Sequence, residues 1–221
     1  DFNGKLGQDN NPEWKTVAFD ELGKVVLPTG AIGSRWGPDG RADEGQWNLE
    51  AKEARHGHEV KLKLSVLEGD NPTTETARVG FPYFGGIENE YWTESKFEDV
   101  LERRLPVKHL TLADGQEWMV ATVYDLLLAQ YGVDRGFGGG NVAASFDDNV
   151  PGTPAWQEKI TGVPRTEVIR IAREFGRTAD KTRGRSMIIV GAAMNHWFHN
   201  DMNYRGLINM LVMCGCVGQT G

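Results

Sequence analysis

Cysteine, basic charge and long apolar runs are all scarce in this 221-residue sequence, and each shortage argues against a class of protein. The only cysteines are Cys214 and Cys216, too few to cross-link a small secreted scaffold. Lys and Arg total 24 against 31 Asp and Glu, and the net charge of −7 argues against an extended nucleic-acid surface, which needs a basic excess. The longest mostly apolar stretch, residues 207–217, has 11 residues, whereas a membrane-spanning helix needs roughly 18.

An initiator methionine is also missing, and the sequence stops at Gly221 inside a glycine-rich apolar segment. We therefore expect the chain to be a piece of a longer polypeptide. Charge divides unevenly along it: residues 1–100 carry 19 acids and 11 bases, and residues 101–221 carry 12 acids and 13 bases. This shift predicts two structural regions that meet near residue 100.

The first region has the patterns of short strands and turns. Residues 60–66 alternate apolar and polar side chains, which predicts a strand with one wet face, and Val25–Leu27 is a shorter strand candidate. Helical spacing over Phe97–Leu105 predicts a helix that ends before Pro106. Asp114-Gly115, between two apolar runs, predicts a β-hairpin over residues 107–121.

The second region changes to helical periodicity from about Thr122, and Gly132 is a plausible end of that helix. A further helix is predicted from Pro164 to Phe175, with Gly176 as its stop and a basic linker over residues 177–185. The continuously apolar run 187–190 predicts a strand covered on both faces, and the next helix begins near Asn200 or Asp201. This order predicts an α/β fold with an open parallel sheet, preceded by a strand-rich and loop-rich insertion.

The loop after the predicted strand is the best candidate for a ligand site, because ligands of open parallel sheets bind where strands end. Gly191 removes side-chain bulk there, and Asn195 and His196 supply hydrogen-bonding groups. A purely structural role is the alternative, with Asn195 capping the next helix and His196 satisfied in a core.

Other residues are weaker candidates for chemistry. His196 and His199 have the wrong spacing for a zinc peptidase and lack further ligands, and Cys214 and Cys216 are two thiols where a closed zinc or iron–sulfur site needs about four ligands. The glycine run 136–140 lacks the Lys and Ser or Thr of a phosphate loop. A non-catalytic binding domain that uses these two histidines and two cysteines for a labile metal remains an alternative class of function.

Several segments resemble the molybdopterin oxidoreductases of the dimethyl-sulfoxide-reductase type, and the resemblance spans nearly the whole chain in one order. The C-terminal segments are shared across that family, and the upstream ones are similar to its nitrate reductase branch. The segments are Ile32-Gly…Arg-Trp-Gly37, Gln46-Trp-Asn-Leu49, Gly80-Phe-Pro-Tyr-Phe-Gly-Gly86, Leu105-Pro-Val-Lys108, Thr122-Val-Tyr-Asp125, Ile160-Thr-Gly-Val-Pro164, Ile169–Phe175, Gly184–Gly191, Asn195-His-Trp197, Asp201–Met210 and Cys216–Gly221.

The resemblance implies a fragment of a catalytic subunit that reduces nitrate to nitrite by oxygen-atom transfer. It implies two regions, an acidic insertion over residues 1–105 and an incomplete cofactor-binding α/β region over residues 106–221. The implied cofactors of the parent subunit are molybdenum bis(molybdopterin guanine dinucleotide) and a 4Fe-4S cluster. The family's N-terminal cysteine and histidine motif and the aspartate that ligates molybdenum in the nitrate branch are missing here, so no residue of this sequence is assigned as a metal ligand.

Residue by residue, the resemblance places Asn195 and His196 beside the metal and its substrate funnel, as the catalytic candidates. The cofactor-binding candidates are Gly191, Asn195, His196, Val217, Gly218, Gln219, Thr220 and Gly221. Implied partners are nitrate, an iron–sulfur beta subunit and a membrane cytochrome b gamma subunit that passes electrons from quinol, at the cytoplasmic face of the membrane. Reduction of selenate or chlorate is an alternative, because similar anions need similar hydrogen-bond donors.

Overall fold

The computed structural model describes six stretches of the chain: residues 18–26, 59–70, 72–82, 100–111, 115–198 and 200–217. The strands are β1 (Ala18–Phe19), β2 (Val25–Val26), β3 (Thr76–Pro82), β4 (Val100–Pro106), β5 (Lys108–Thr111) and β6 (Glu117–Val120). The helices are α1 (Val123–Gln130), α2 (Pro154–Thr161), α3 (Arg165–Thr182), α4 (Ala192–Asn195) and α5 (Asn200–Met213).

Two compact units divide the chain, Asp1–Trp156 and Gln157–Gly221. All the described strands belong to the first unit, where they form three two-stranded antiparallel sheets, β1 with β2, β3 with β4 and β5 with β6. The fold is therefore mixed α/β with small antiparallel sheets. The expected division into an acidic insertion over residues 1–105 and a cofactor-binding region over residues 106–221 stays a prediction.

The hydrophobic core of the first unit lies where α1 packs against β4, near the connection from β4 to β5. Leu105, Val107 and Ala129 are buried there. Partly buried apolar side chains of β3 and of the segment between β6 and α1 complete the cluster, namely Ala77, Val79, Phe81 and Ala121. Residues far apart in sequence thus share one core, which fixes α1 against the β3–β4 sheet.

Two sequence predictions are confirmed in this unit. Strands β5 and β6 form the predicted hairpin, with Lys108 opposite Val120 and Thr111 opposite Glu117. Helix α1 begins directly after Thr122, whose hydroxyl accepts the Asp125 N–H at 3.0 Å, as an N-cap residue does. The helix ends at Tyr131, and Gly132 follows with φ +70°.

The predicted helix over Phe97–Leu105 is wrong for its described part, which is strand β4. Leu101, Arg103 and Leu105 are buried, and Glu102 and Arg104 between them are exposed, which is the period of two that a strand requires. The pattern is hidden in the sequence because one of the three buried side chains is an arginine, 2% exposed.

The predicted strand over residues 60–66 is also wrong. Leu62 makes a single bridge to Asp20, and bends and turns follow from Leu64 onward. The observed burial does not follow the alternation of apolar and polar residues, because the polar Ser65 is 2% exposed and the apolar Leu64 is 62% exposed. The Ser65 hydroxyl is held inside by a hydrogen bond that it donates to the buried carboxylate of Asp125. The other predicted strand forms over Val25–Val26, and Leu27 lies outside the described residues.

In the second unit, α3 runs straight through the predicted stop at Gly176 and includes most of the predicted basic linker. It ends at Arg183, which has the left-handed conformation at φ 57° and ψ 53°. The amide of Gly184 then closes the helix by donating to the Ala179 carbonyl at 2.7 Å. The predicted helix near Asn200 is confirmed as α5.

The predicted strand at residues 187–190 is not formed. A strand of a parallel sheet needs hydrogen-bonded neighbours, and the described residues of this unit contain helices only. Met187 is 64% exposed and Ile189 is 85% exposed, so these two apolar side chains are not covered by the described residues. The open parallel sheet is thus not present among the described residues.

Candidate functional site

The candidate loop folds as one short helical turn. Gly191 precedes it with extended backbone, at φ −110° and ψ 177°, and α4 follows over Ala192–Asn195. The Met194 N–H donates to the Gly191 carbonyl at 3.2 Å, and His196 ends the turn at φ −99° and ψ 4°. Three of the predicted site residues, Gly191, Asn195 and His196, are thereby brought into a single turn.

The loop is joined to α5 by hydrogen bonds from Asn200, the first residue of that helix. Its side-chain Nδ2 donates to the Asn195 carbonyl at 2.9 Å. Its backbone N–H donates to the Trp197 carbonyl at 3.2 Å. These bonds fix the path of the chain on both sides of His196, whose own ring is exposed.

The functional groups of this loop are open to a ligand. The side chains of Asn195 and His196 are exposed, and neither has a hydrogen-bond partner among the described residues. A Cβ built on Gly191 would meet nothing within 4 Å, so this glycine leaves open space and is not required by packing here. An amide and an imidazole on an exposed turn can donate hydrogen bonds to an anion. The expected structural alternative, a buried His196, is not observed.

Val217 lies beyond the other end of α5 and is 53% exposed. Because α5 has 14 residues, its length is roughly 21 Å, so the structure places Val217 and His196 at opposite ends of one helix. The remaining candidates of that segment, Gly218, Gln219, Thr220 and Gly221, lie outside the described residues.

The two cysteines follow α5 as free thiols. Cys216 is buried, and its Sγ–H donates to the Cys214 carbonyl at 3.5 Å. Burial, and then the neighbouring Cys216, raise the pKa of Cys214, which favours the protonated thiol. Across the described stretches no three His, Cys, Asp or Glu side chains are grouped for metal binding, and His199 lies outside those stretches.

The sequence patterns did not reveal the two most deeply buried charged residues described in the first unit, Asp125 and Arg103. Asp125 is 0% exposed, and its carboxylate accepts hydrogen bonds from Ser65, Val66, Thr122 and Arg135. The Thr-x-x-Asp spacing at residues 122–125 is a capping-box signal that could have indicated Asp125.

The second is Arg103. Its guanidinium donates to four backbone carbonyls, at Ala129, Gln130, Asn141 and Pro151. No local signal marks this arginine, since its partners are 26 or more residues away in sequence. Asp125 and Arg103 are both paired within the protein, so they stabilise the first unit and are not candidates for binding a ligand.

Comparison with known proteins gives the family. No family model matches the chain. The respiratory nitrate reductase 1 alpha chain of Escherichia coli is 58% identical over 216 residues, which is 98% of this chain and 17% of that protein. The nitrate reductase alpha chain of Bacillus subtilis is 42% identical over 210 residues, 95% of this chain and 16% of that one.

The chain belongs to the nitrate reductase alpha-chain family. It spans about a sixth of the length of these alpha chains. A more distant relative is the perchlorate reductase subunit alpha of Dechloromonas aromatica, 28% identical over 112 residues, which cover 51% of this chain and 10% of that subunit. The resemblance found in the sequence is therefore confirmed. None of the described helices is both long and apolar enough to cross a bilayer.

Proposed function

We propose that this chain is part of the catalytic alpha subunit of a respiratory nitrate reductase, and that the whole subunit reduces nitrate to nitrite by transferring one oxygen atom. The observation that carries this proposal is the match to nitrate reductase alpha chains along nearly the entire sequence. The weaker likeness to a perchlorate reductase subunit supports a second candidate, reduction of a related oxyanion such as chlorate or selenate.

Within this function, we assign His196 and Asn195 to the binding of nitrate. Both side chains are exposed on one turn and have no hydrogen-bond partner among the described residues, so both are available to donate. A hydrogen bond to a charged group contributes about 1.5–3 kcal/mol. His196 orients the anion and stabilises the charge that develops on the departing oxygen, and the Asn195 amide supplies a second donor.

The parent subunit holds molybdenum bis(molybdopterin guanine dinucleotide) and a 4Fe-4S cluster in this proposal, with the metal ligands outside this chain. The open space at Gly191 and the exposed amide and imidazole beside it fit contact with such a cofactor. The exposed turn at Val217, at the far end of α5, fits a second contact with an extended dinucleotide, and residues 218–221 belong to the same proposed contact. When bound, the molybdenum supplies the two-electron chemistry of oxygen-atom transfer.

We also propose that residues 187–190 form a strand of an open parallel sheet in the whole subunit. The run is continuously apolar and mostly exposed in this chain, at 64% for Met187 and 85% for Ile189. A strand covered on both faces has this composition. The neighbouring strands would come from other parts of the subunit, and residues 106–221 would then belong to its cofactor-binding region, with residues 1–105 as the insertion.

The proposed partners are an iron–sulfur beta subunit and a membrane cytochrome b gamma subunit, which would deliver electrons from quinol at the cytoplasmic face of the membrane. Respiratory function of the relatives supports this assembly, because respiration couples the reductase to a membrane electron donor. The alpha chain would then attach to the membrane through its partners. Co-purification of the beta subunit with the whole alpha subunit, with and without residues 1–100, tests whether the acidic insertion takes part.

The direct test is a turnover assay of the full-length subunit with a reduced viologen dye as electron donor. We expect nitrite from nitrate, at a higher kcat/KM than for chlorate or selenate. The 221-residue chain alone should give no turnover, because the metal ligands and part of the cofactor site lie outside it. Preference for another oxyanion, or turnover by the isolated chain, would contradict the proposal.

A further inference from the structure

Asn200 holds the residues on both sides of His196. Its Nδ2 donates to the carbonyl of Asn195 at 2.9 Å, and its backbone N–H donates to the carbonyl of Trp197 at 3.2 Å. The backbone bond is available to any residue except proline at this position. The side-chain bond needs a donor that reaches back from α5, so it depends on the identity of residue 200.

The direction of this side chain distinguishes it from an ordinary helix cap. A capping asparagine accepts an N–H of its own helix through the side-chain oxygen. The Asn200 side chain instead donates from its nitrogen to a carbonyl five residues earlier in the loop. Its bond therefore stabilises the turn at Asn195 and His196, and not the first turn of α5.

The loop has few other restraints of its own. Helix α4 is only four residues long, and none of its residues is buried. Trp197 is 71% exposed and Phe198 is 82% exposed, so their side chains do not anchor the loop in a core. A single side-chain hydrogen bond is therefore a large part of what holds the backbone that carries His196.

We propose that Asn200 is a positioning residue that holds His196 where it stabilises the charge that develops on the departing oxygen of the oxyanion, a role that rests on the function proposed above. Reacting groups must be held within a fraction of an ångström, and a displacement of about 1 Å can lower a rate about a hundredfold. Asn200 touches neither substrate nor cofactor in this account. It acts only through the loop.

The first test measures the loop itself by hydrogen exchange of residues 191–198 in the full-length subunit. Asn200→Asp is nearly isosteric and removes the donor, and its negative charge suits the first turn of a helix, so α5 should persist. We expect about threefold to tenfold faster exchange in the loop, the size that one net hydrogen bond gives. Asn200→Gln keeps a donor and should restore slow exchange.

The matched control is Asn203→Asp, which makes the same change of charge on an exposed residue of the same helix. The Asn203 side chain has no hydrogen bond among the described residues. Its variant should exchange like the native protein. Equal exchange in all three variants and the native protein would overturn the positioning role whatever the subunit catalyses.

The second test is a double-mutant cycle on nitrate reduction by the molybdenum-loaded subunit. We expect Asn200→Asp to lower kcat about tenfold, with KM within twofold and molybdenum content unchanged, and Asn200→Gln to recover most of the rate. Added to His196→Ala, Asn200→Asp should cause no further loss, because it acts through His196. Additive losses would overturn this proposal and leave the proposed function standing, whereas full activity of His196→Ala would contradict the proposed role of His196 itself.

Discussion

Asp125 and Arg135 form an ion pair in the first unit, with Nη1 of the arginine 2.6 Å from Oδ1 of the carboxylate. The carboxylate is 0% exposed and the arginine side chain is 16% exposed. The same carboxylate accepts hydrogen bonds from the Ser65 hydroxyl at 2.6 Å and the Val66 N–H at 3.1 Å. One buried side chain thus joins the start of α1 to a turn 60 residues earlier in the chain.

Replacing Asp125 by alanine should strongly destabilise the first unit. The change leaves Arg135 and Ser65 without their buried acceptor, and removal of one partner of a buried pair costs about 3–5 kcal/mol of unfolding free energy. Urea denaturation followed by circular dichroism measures the loss. Asp70→Ala is the control, because this exposed carboxylate has no described partner and should change the stability by no more than about 0.5 kcal/mol.

Gly132→Ala should cost more stability than Gly136→Ala. Both glycines have positive φ, at +70° and +79°, so both substitutions carry the left-handed penalty of about 1–2 kcal/mol. Only at Gly132 would the new Cβ lie 2.8 Å from the guanidinium of Arg103, and a Cβ at Gly136 meets nothing within 4 Å. The Arg103 guanidinium cannot easily move, because it donates to four carbonyls. Equal unfolding free energies for the two variants would show that the close approach is unimportant.

Gly176→Ala should stabilise α3. Gly176 lies inside the helix, where glycine costs about 0.5–1 kcal/mol relative to alanine, and a Cβ there meets nothing within 4 Å. Thermal unfolding of the two variants Gly176→Ala and Gly162→Ala measures the contrast. Gly162 has φ +73°, so its substitution should lower the melting temperature, while Gly176→Ala should raise it. A lower melting temperature for Gly176→Ala would indicate that the helix ends earlier than described.

Glu75→Gln should lower the pKa of His109. The His109 Nε2 is 3.0 Å from the Glu75 carboxylate. This hydrogen bond raises the pKa of His109 above 6.5, and the negative charge of Glu75 and, to a smaller extent, that of Glu117 raise it further. Because the folded-state pKa is raised, this contact stabilises fully below about pH 6.5 and its contribution disappears as the pH rises through the folded-state pKa. NMR titration of the imidazole measures the pKa of His109, and Glu117→Gln should lower this pKa less than Glu75→Gln does. The reverse order would contradict the assignment of Glu75 as the main partner.

Elements whose signals are local could be predicted from the sequence. The Asp-Gly pair at residues 114–115 of the sequence predicts the β5–β6 hairpin, and Thr122 and Gly132 predict the ends of α1. Each of these features depends on residues within a few positions of one another. The loop at Gly191–His196 is of the same kind, because its glycine and its polar pair are adjacent in sequence, and the structure brings them into one turn.

The failures come from contacts between distant residues. Arg103 breaks the apparent pattern of β4 because its carbonyl partners lie up to 48 residues away, and Ser65 is buried by a carboxylate 60 residues away. Gly176 does not stop α3, because a glycine ends a helix only where the chain must turn, and that turn occurs at Arg183. The composition of residues 187–190 predicts a strand, but a strand also needs a neighbouring strand to hydrogen-bond with. The described residues of this unit contain no such neighbour.

The proposed role of His196 is tested most directly by nitrate turnover of the full-length subunit carrying His196→Ala. We expect a loss of kcat of at least tenfold with normal molybdenum content, because one donor to the charged substrate, worth about 1.5–3 kcal/mol, is removed from an otherwise intact cofactor site. Unchanged nitrate turnover at normal molybdenum content would contradict it.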